Sequence, residues 1–224
     1  HDPVTMSVIS TYSTDLIGIE SFSATSIKGT TLVSNENGIG LYDFINDRYI
    51  FSEKNIEQQG AVISPDGDFA VTRKSLGDKW EVIMNRVTAD SLLELWRLPA
   101  GNYSVARWAP DGDPLLILME GSENLDESFP ADNVITMYSP TDETALCHFF
   151  VKHGRFAGID TQTGTIGTWD KFYGSEVKKN LYLYEYATGT LKKVIYLAPG
   201  ASSLTLYKSF VLEGEGYRLN ISNL

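Results

Sequence analysis

The chain has 224 residues, and with 42% hydrophobic and 21% charged residues its composition is that of a globular protein, which excludes disorder and a disulfide-dense scaffold. Its formal net charge is -11, from 29 acidic and 18 basic residues. Because nucleic acids and anionic membranes attract basic surfaces, this charge argues against both as main partners.

The first predicted elements are short strands separated by turn residues. Residues 4–9 alternate between apolar and polar side chains and predict a strand. A first group of strands extends from residue 22 to about residue 52, with a turn at Lys28-Gly29 and a third strand at residues 40–44. No apolar stretch approaches the length of about 20 residues that crosses a bilayer, so the sequence predicts no transmembrane helix.

Two related turn sequences begin the next two groups. They are Ile63-Ser64-Pro65-Asp66-Gly67-Asp68 and Trp108-Ala109-Pro110-Asp111-Gly112-Asp113, which start 45 residues apart. Proline followed by Asp-Gly, with β-forming residues on both sides, indicates a tight reversal between two strands. A four-stranded propeller blade takes roughly 40 to 50 residues, so the spacing favours a β-propeller.

The second group is predicted to have four strands, and the third is interrupted by an acidic insertion at residues 121–133. Residues 89–97 are the best candidate for a helix, but they fit an outer strand equally well. The predicted strands are residues 60–64, 69–74, 80–87 and 92–98 in the second group, and residues 105–108, 115–119 and 134–138 in the third.

Of the last two groups, the fourth has the clearest strand pattern and the fifth has the fewest strands. The fourth has a turn at residues 161–164 and strands at residues 165–169, 180–186 and 191–197. The fifth has only three strands, at residues 204–207, 210–213 and 217–222, and residues 4–9 could supply its missing strand. The predicted fold is therefore a single all-β domain over residues 1–224, a β-propeller of five four-stranded blades closed by the N-terminal strand. The alternative is a fragment of a larger propeller.

The two Pro-Asp-Gly-Asp turns, together with Leu-Tyr-Leu-Tyr-Glu-Tyr-Ala-Thr-Gly at residues 181–189, resemble the WD40-like repeats of the TolB type, also called PD40 repeats. This resemblance implies a propeller fold. It leaves the function open, because such propellers serve as docking modules, lectin-like binders and non-catalytic domains of peptidases. The Gly-His and Trp-Asp pairs of true WD40 repeats are absent, and Trp169-Asp170 does not end a blade.

Several residues could carry chemistry, but their context favours structural roles. Asp66, Asp68, Asp111 and Asp113 form two Asp-x-Asp pairs without the further ligands of a calcium loop, so we expect turns and no metal or cofactor site. Cys147 is the only cysteine and lies in an apolar run, which predicts a buried structural thiol. Asp160 is the only acid in the predicted first strands, whereas glycoside hydrolysis needs two carboxylates.

The remaining candidates point to binding. Arg107 beside Trp108 could lie at the mouth of the central channel, exposed aromatic residues could contact a peptide or a sugar, and the acidic insertion has an apolar tip. The predicted partner-binding residues are Arg107, Trp108, Glu123, Asp126, Glu127, Phe129, Trp169 and Tyr173.

The sequence thus predicts a soluble, acidic, non-catalytic binding or scaffold module, most simply for a protein partner. A lectin-like carbohydrate-binding propeller is the second hypothesis, and a five-bladed enzyme similar to glycoside hydrolases is the third. The compartment stays open between the cytoplasm and a processed extracytoplasmic location, because one cysteine carries no redox information.

Overall fold

The computed structural model describes most of the chain as strands and turns. The described residues are 21–22, 26, 28–35, 38–54, 58–110, 113–121, 133–151, 155–170, 180–197, 203–207, 210–215 and 218–223. Within these ranges no residue is helical. Accordingly, the described ranges contain no helix that is long and apolar enough to cross a membrane.

The chain divides into two compact units, of which the first is His1–Ser75 with Val82–Leu95 and the second is Leu76–Glu81 with Trp96–Leu224. The first eight strands are β1 (Ser21–Phe22), β2 (Thr30–Asn35), β3 (Gly38–Asp43), β4 (Arg48–Lys54), β5 (Gln58–Ile63), β6 (Phe69–Leu76), β7 (Lys79–Val87) and β8 (Leu92–Gly101). The next eleven are β9 (Tyr103–Trp108), β10 (Leu116–Glu120), β11 (Asn133–Tyr138), β12 (Ala145–Val151), β13 (Arg155–Asp160), β14 (Thr165–Trp169), β15 (Asn180–Glu185), β16 (Leu191–Tyr196), β17 (Ser203–Tyr207), β18 (Phe210–Glu215) and β19 (Arg218–Asn223).

The strands form five separate sheets, each made of strands that are consecutive in the chain. Four sheets have four strands, namely β1–β4, β5–β8, β9–β12 and β13–β16, and the last has the three strands β17–β19. The registered strand pairs within them are antiparallel. This arrangement of sequential four-stranded meanders is that of propeller blades, as the sequence predicts.

The first Pro-Asp-Gly-Asp turn joins β5 to β6 as a tight reversal. The Ser64 N–H donates to the Phe69 carbonyl oxygen at 2.8 Å, and the Gly67 N–H donates to the Ser64 carbonyl oxygen at 2.9 Å. Gly67 has φ 78°, and a Cβ there would lie 2.9 Å from Ser26 Oγ, so both its backbone angle and its surroundings favour glycine. Residues 111–112 of the second turn lie outside the described residues.

Each unit has its own apolar core. In the first unit, side chains of β2, β3 and β4 pack against side chains of β5 and β6, with Leu32, Ile39 and Ile63 buried. In the second unit, one core lies between the sheets β9–β12 and β13–β16, with Ile135, Met137, Phe149, Ile166 and Tyr184 among its members. A second core lies on the other face of β13–β16, where that sheet meets β17. Sheets stacked face to face in this way bury both faces of the inner strands.

The predicted strands agree with the observed strands to within a few residues, and the outer strand predicted at residues 92–98 is β8, Leu92–Gly101. The helix considered as an alternative at residues 89–97 is wrong. The predicted closing strand at residues 4–9 lies outside the described residues, as do residues 122–132 of the acidic insertion predicted at residues 121–133. The fifth sheet has three strands in the described ranges, as predicted.

Candidate functional site

The most distinctive surface feature is a set of exposed apolar side chains on edge strands of the second unit. In a soluble fold, single exposed apolar residues are ordinary, but several large ones on neighbouring edges indicate an interaction surface. On β12 and β16 the exposed fractions are 62% for Leu146, 66% for Phe150, 47% for Leu191, 39% for Val194 and 78% for Tyr196.

Three of these residues lie on one face of β16. Val194 is paired with Tyr182, Tyr196 with Asn180 and Leu191 with Tyr184 on the neighbouring strand β15. Because cross-strand partners point to the same face, the three side chains continue the face formed by Tyr182 and Tyr184. We call Leu191, Val194 and Tyr196 the β16 strip.

The face that carries the β16 strip is covered by the neighbouring sheet only in part. Tyr184 is buried and its ring lies 6.1 Å from the ring of Phe149 on β12, and Tyr182 packs against the same core. One strand further out, the β16 strip is exposed. The apolar face of the sheet β13–β16 therefore extends past the part that packs against β12 and onto its last strand, β16, where it is exposed.

The turn between β15 and β16 fixes this face against β12. Gly189 has φ 71°, and a Cβ at this position would lie 2.4 Å from the Cβ of Phe149. The Cys147 Sγ lies 2.8 Å from the Tyr186 carbonyl oxygen. Two contacts thus hold the end of the β15–β16 hairpin on β12.

Two lysines accompany the apolar side chains on β16. Lys192 lies at a register shift and its Nζ is 3.3 Å from the Glu185 carboxylate. Hydrogen bonding by the Thr188 hydroxyl, followed by contact with Lys192, lowers the pKa of Glu185. Lys193 is exposed and is paired with Leu183, so it points to the face opposite the β16 strip. The face of β16 opposite the β16 strip therefore carries one exposed cation, Lys193, beside Ile195, which packs against the second core.

The exposed face of β12 is separate from the β16 strip. Leu146, His148 and Phe150 are exposed, whereas Phe149 and Val151 are buried. The rings of His148 and Phe150 meet edge to face at 5.9 Å, and His148 Nδ1 lies 3.3 Å from the Thr136 hydroxyl. This face is a second, smaller group of exposed apolar residues.

Cys147 has the surroundings of a structural thiol. It is half-buried, its sulfur contacts the Tyr186 carbonyl oxygen, and burial raises its pKa. A nucleophilic cysteine requires a lowered pKa and a neighbouring base, so this thiol is poorly suited to catalysis.

Of the carboxylates that the sequence singled out, Asp160 and Asp66 hold turns. Asp160 is buried and accepts hydrogen bonds from the Gln162 N–H at 3.0 Å and the Thr163 hydroxyl at 2.6 Å. Asp66 accepts a hydrogen bond from the Asp68 N–H at 3.0 Å, and Asp68 pairs with Lys28. In the described part of the chain, no three His, Cys, Asp or Glu side chains are grouped as metal ligands would be.

The predicted partner-binding residues fall into three sets. Arg107 is exposed and its guanidinium donates to the Ala106 carbonyl oxygen at 3.0 Å, while Trp108 next to it is half-buried. Trp169 is 3% exposed and packs with Leu181 and Leu204 in the core, so its ring offers no face to a ligand. The remaining predicted residues, Glu123, Asp126, Glu127, Phe129 and Tyr173, lie outside the described residues.

Sequence reasoning missed the β16 strip, although the strand itself was predicted. The available signal was the pattern Leu191-Lys192-Lys193-Val194-Ile195-Tyr196, which has apolar residues on both faces of an edge strand. Which of these faces is covered depends on the neighbouring sheet, and the sequence of β16 does not contain that information.

The first unit has a shallow pocket beside the first Pro-Asp-Gly-Asp turn. Its volume is about 300 Å³ and its lining residues are Asp68, Phe69, Arg86 and Val87. The Arg86 guanidinium carbon lies 5.9 Å from the Phe69 ring centre. One carboxylate, Asp68, and one guanidinium, Arg86, line the pocket, so it has no single charge preference.

Comparison with known proteins supports the fold but does not assign the chain to a family. No family model matches the chain, and no curated protein matches it by sequence. Among solved structures, TolB from Acinetobacter baumannii matches with a TM-score of 0.54 and 18% identity, over 92% of this chain and 51% of that one. The β-propeller domain of the trilobed protease from Pyrococcus furiosus matches with a TM-score of 0.58 and 13% identity, over 91% of this chain and 67% of that one. A structure of the nidogen/laminin complex matches with a TM-score of 0.54 and 13% identity, over 91% of this chain and 74% of that one.

These similarities confirm the resemblance to TolB-type propellers at the level of the fold. The chain spans only about half the length of the TolB chain, and the identities are too low to transfer an activity. The sheets observed here and the matched structures together show that this chain has the β-propeller architecture.

Proposed function

We propose that the chain is a non-catalytic binding module whose partner is a protein. The observation that carries the proposal is the β16 strip, an apolar core face that continues uncovered onto an edge strand. Exposed Tyr, Phe and Leu side chains supply the large contact area on which protein interfaces depend.

The chemistry of the described residues supports binding over catalysis. Asp160, the acid closest to a glycosidase candidate, is engaged by the backbone and side chains of its own turn. Cys147 has a raised pKa and a carbonyl partner. One of the matched structures is a complex of two proteins, nidogen and laminin, which supports a protein as the class of partner.

Three parallel assays on the same protein preparation decide between a protein partner, a sugar and an enzyme. A random-peptide display library tests for protein binding, a glycan array tests for sugar binding, and a panel of chromogenic glycosides tests for hydrolysis. We expect enriched peptides, no glycan signal above background and no turnover. Glycan binding without peptide enrichment, or release of the chromophore, would show that the proposal is wrong.

A further inference from the structure

Strand β16 combines three features of a site for an added strand. It is the last strand of its sheet, since in the described ranges it pairs only with β15. Every second backbone N–H and C=O of an edge strand points away from the sheet and can pair with another chain. The face of β16 next to that edge is apolar and exposed at Val194 and Tyr196.

The lysines restrict which chain can pair there. Lysine on an edge strand opposes unspecific strand pairing, because a partner must bring its own residues next to the ammonium group. An acidic side chain directly across from Lys193 forms a favourable cross-strand pair, and a basic one is repelled. The edge thus selects an acidic segment, even though the whole chain has a net charge of -11. At physiological salt the Debye length is about 8 Å, so the local lysines determine the interaction.

A second copy of the chain is a poor occupant. It would bring its own Lys193 to the same edge, and like charges directly across a strand pair are destabilising. Two chains that each carry a net charge of -11 also repel one another as they approach.

The register shift at Lys192 defines the usable length of the edge. The shift lies between the pairs made by Leu183 and Tyr184, so regular pairing with β15 runs from Lys193 to Tyr196. Within this segment Val194 and Tyr196 lie on one face, and Lys193 and Ile195 lie on the other. A partner strand with the matching alternation is apolar on one face and acidic on the other.

We propose that the edge of β16 from Lys193 to Tyr196 is a strand-addition site for an extended segment of a partner protein that alternates apolar and acidic residues. This inference rests on the proposed function and names the chemistry of the partner. The apolar side chains of the segment lie beside Val194 and Tyr196, and an acidic side chain lies beside Lys193.

The test uses an eight-residue peptide of alternating glutamate and valine, labelled with fluorescein and measured by fluorescence anisotropy. A peptide of alternating lysine and valine is the charge-reversed control. We expect the acidic peptide to bind and the basic peptide to bind at least about fivefold more weakly, because the cross-strand charge pair is reversed. High salt reduces this difference.

The charge swap Lys193→Glu identifies the site. It is expected to invert the preference, so that the basic peptide binds better than the acidic one. Lys79→Glu is the matched control, because Lys79 is exposed on β7 and lies outside the proposed site. This variant should change neither affinity by more than about twofold. Hydrogen exchange should slow at those amides of residues 193–196 that point away from β15, which are every second one, when the acidic peptide is bound.

Three results would overturn the inference. They are failure of the acidic peptide to bind, equal effects of Lys193→Glu and Lys79→Glu, and dimerisation of the chain through residues 193–196. If peptides from the display library still bind to the Lys193→Glu variant as to the original chain, strand addition is wrong while the protein-binding function stands. If no peptide of any kind binds, the function itself is wrong.

Discussion

At the scale of single residues, the polar groups that attract attention in the sequence mostly stabilise turns. Asp43, which the sequence does not single out, has the same role: it is buried, and its carboxylate accepts hydrogen bonds from the Ile45 N–H at 2.9 Å and from the Asn46 side chain at 2.7 Å. The Asn46 amide is the main cause of a lowered pKa of Asp43. Asp160 makes the corresponding contacts in another sheet. Asp43 and Asp160 therefore have local structural roles.

Ser64 is the residue whose loss should weaken the first Pro-Asp-Gly-Asp turn most. Its buried hydroxyl accepts from the Phe69 N–H at 2.9 Å and also contacts the Phe69 carbonyl oxygen and Asp66. Ser64→Ala leaves the partly buried Phe69 N–H without this acceptor, which should cost about 1–2 kcal/mol of unfolding free energy in urea denaturation. Ser52→Ala, at an exposed position of β4, should change it by less than about 0.5 kcal/mol. Equal effects of the two variants would contradict the role of the hydroxyl.

Tyr103 should titrate far above the ordinary tyrosine range. Burial, followed by the charge of Glu120, raises its pKa from 10.0 to about 12. Because the folded state favours the neutral phenol, the stability that it contributes is complete below pH 10.0 and is lost as the pH rises towards about 12. Carbon-13 NMR of labelled tyrosine rings, assigned with Tyr103→Phe, measures the pKa directly.

The variant Glu120→Gln separates the two causes of that shift. Removing the carboxylate charge should lower the pKa of Tyr103 and also that of Tyr138, which Glu120 raises as well. The pKa of Tyr103 should stay above 10.0, since burial is the larger cause. A Tyr103 pKa near its ordinary value in the original chain would show that the ring is not buried as described.

At the scale of elements, the positions of the strands were predictable from the sequence, whereas the contacts between sheets that decide which side chains are buried were not. Alternation and turn residues place strands such as β14 and β15 to within a residue or two, because side-chain period and glycine positions are local properties. Trp169 was predicted as a partner-binding residue but is buried against Leu204 from another sheet. Tyr196 is exposed because no described strand covers it. Burial depends on contacts between sheets, and these are distant in sequence.

The contact between the β15–β16 turn and β12 can be tested with a pair of glycine variants. Gly189 and Gly77 have nearly the same φ, 71° and 76°, so alanine is strained at both. A Cβ at Gly77 meets nothing within 4 Å, whereas a Cβ at Gly189 would lie 2.4 Å from the Cβ of Phe149. We expect Gly77→Ala to cost about 1 kcal/mol from backbone strain. Gly189→Ala should cost at least about 2 kcal/mol more, because Phe149 must move.

Denaturant midpoints of the two variants, measured by tryptophan fluorescence, check this expectation. Similar losses for Gly77→Ala and Gly189→Ala would mean that the hairpin end does not rest on β12. In that case the β16 strip would not continue a covered core face, and its exposure would have no bearing on binding.

At the scale of the whole molecule, repetition of one supersecondary unit explains both what is stable and what is available for binding. In the second unit, the sheets β9–β12 and β13–β16 bury their inner strands against neighbouring sheets and have their fourth strands, β12 and β16, at an edge. Sequence repeats reveal the unit, because the turn spacing is preserved. They do not reveal which edge exposes apolar side chains, since that depends on a few residues such as Val194 and Tyr196 on one strand.

The most direct test of a binding surface on β16 uses peptides selected from the display library on the original chain. Their affinity is measured for two matched variants, Tyr196→Ser and Leu93→Ser. Both residues are large, apolar and exposed on the fourth strand of a four-stranded sheet, Tyr196 on β16 and Leu93 on β8. If the β16 strip is the binding surface, Tyr196→Ser weakens binding at least about tenfold and Leu93→Ser changes it by less than about twofold. Equal affinities of the two variants would contradict a binding function centred on β16.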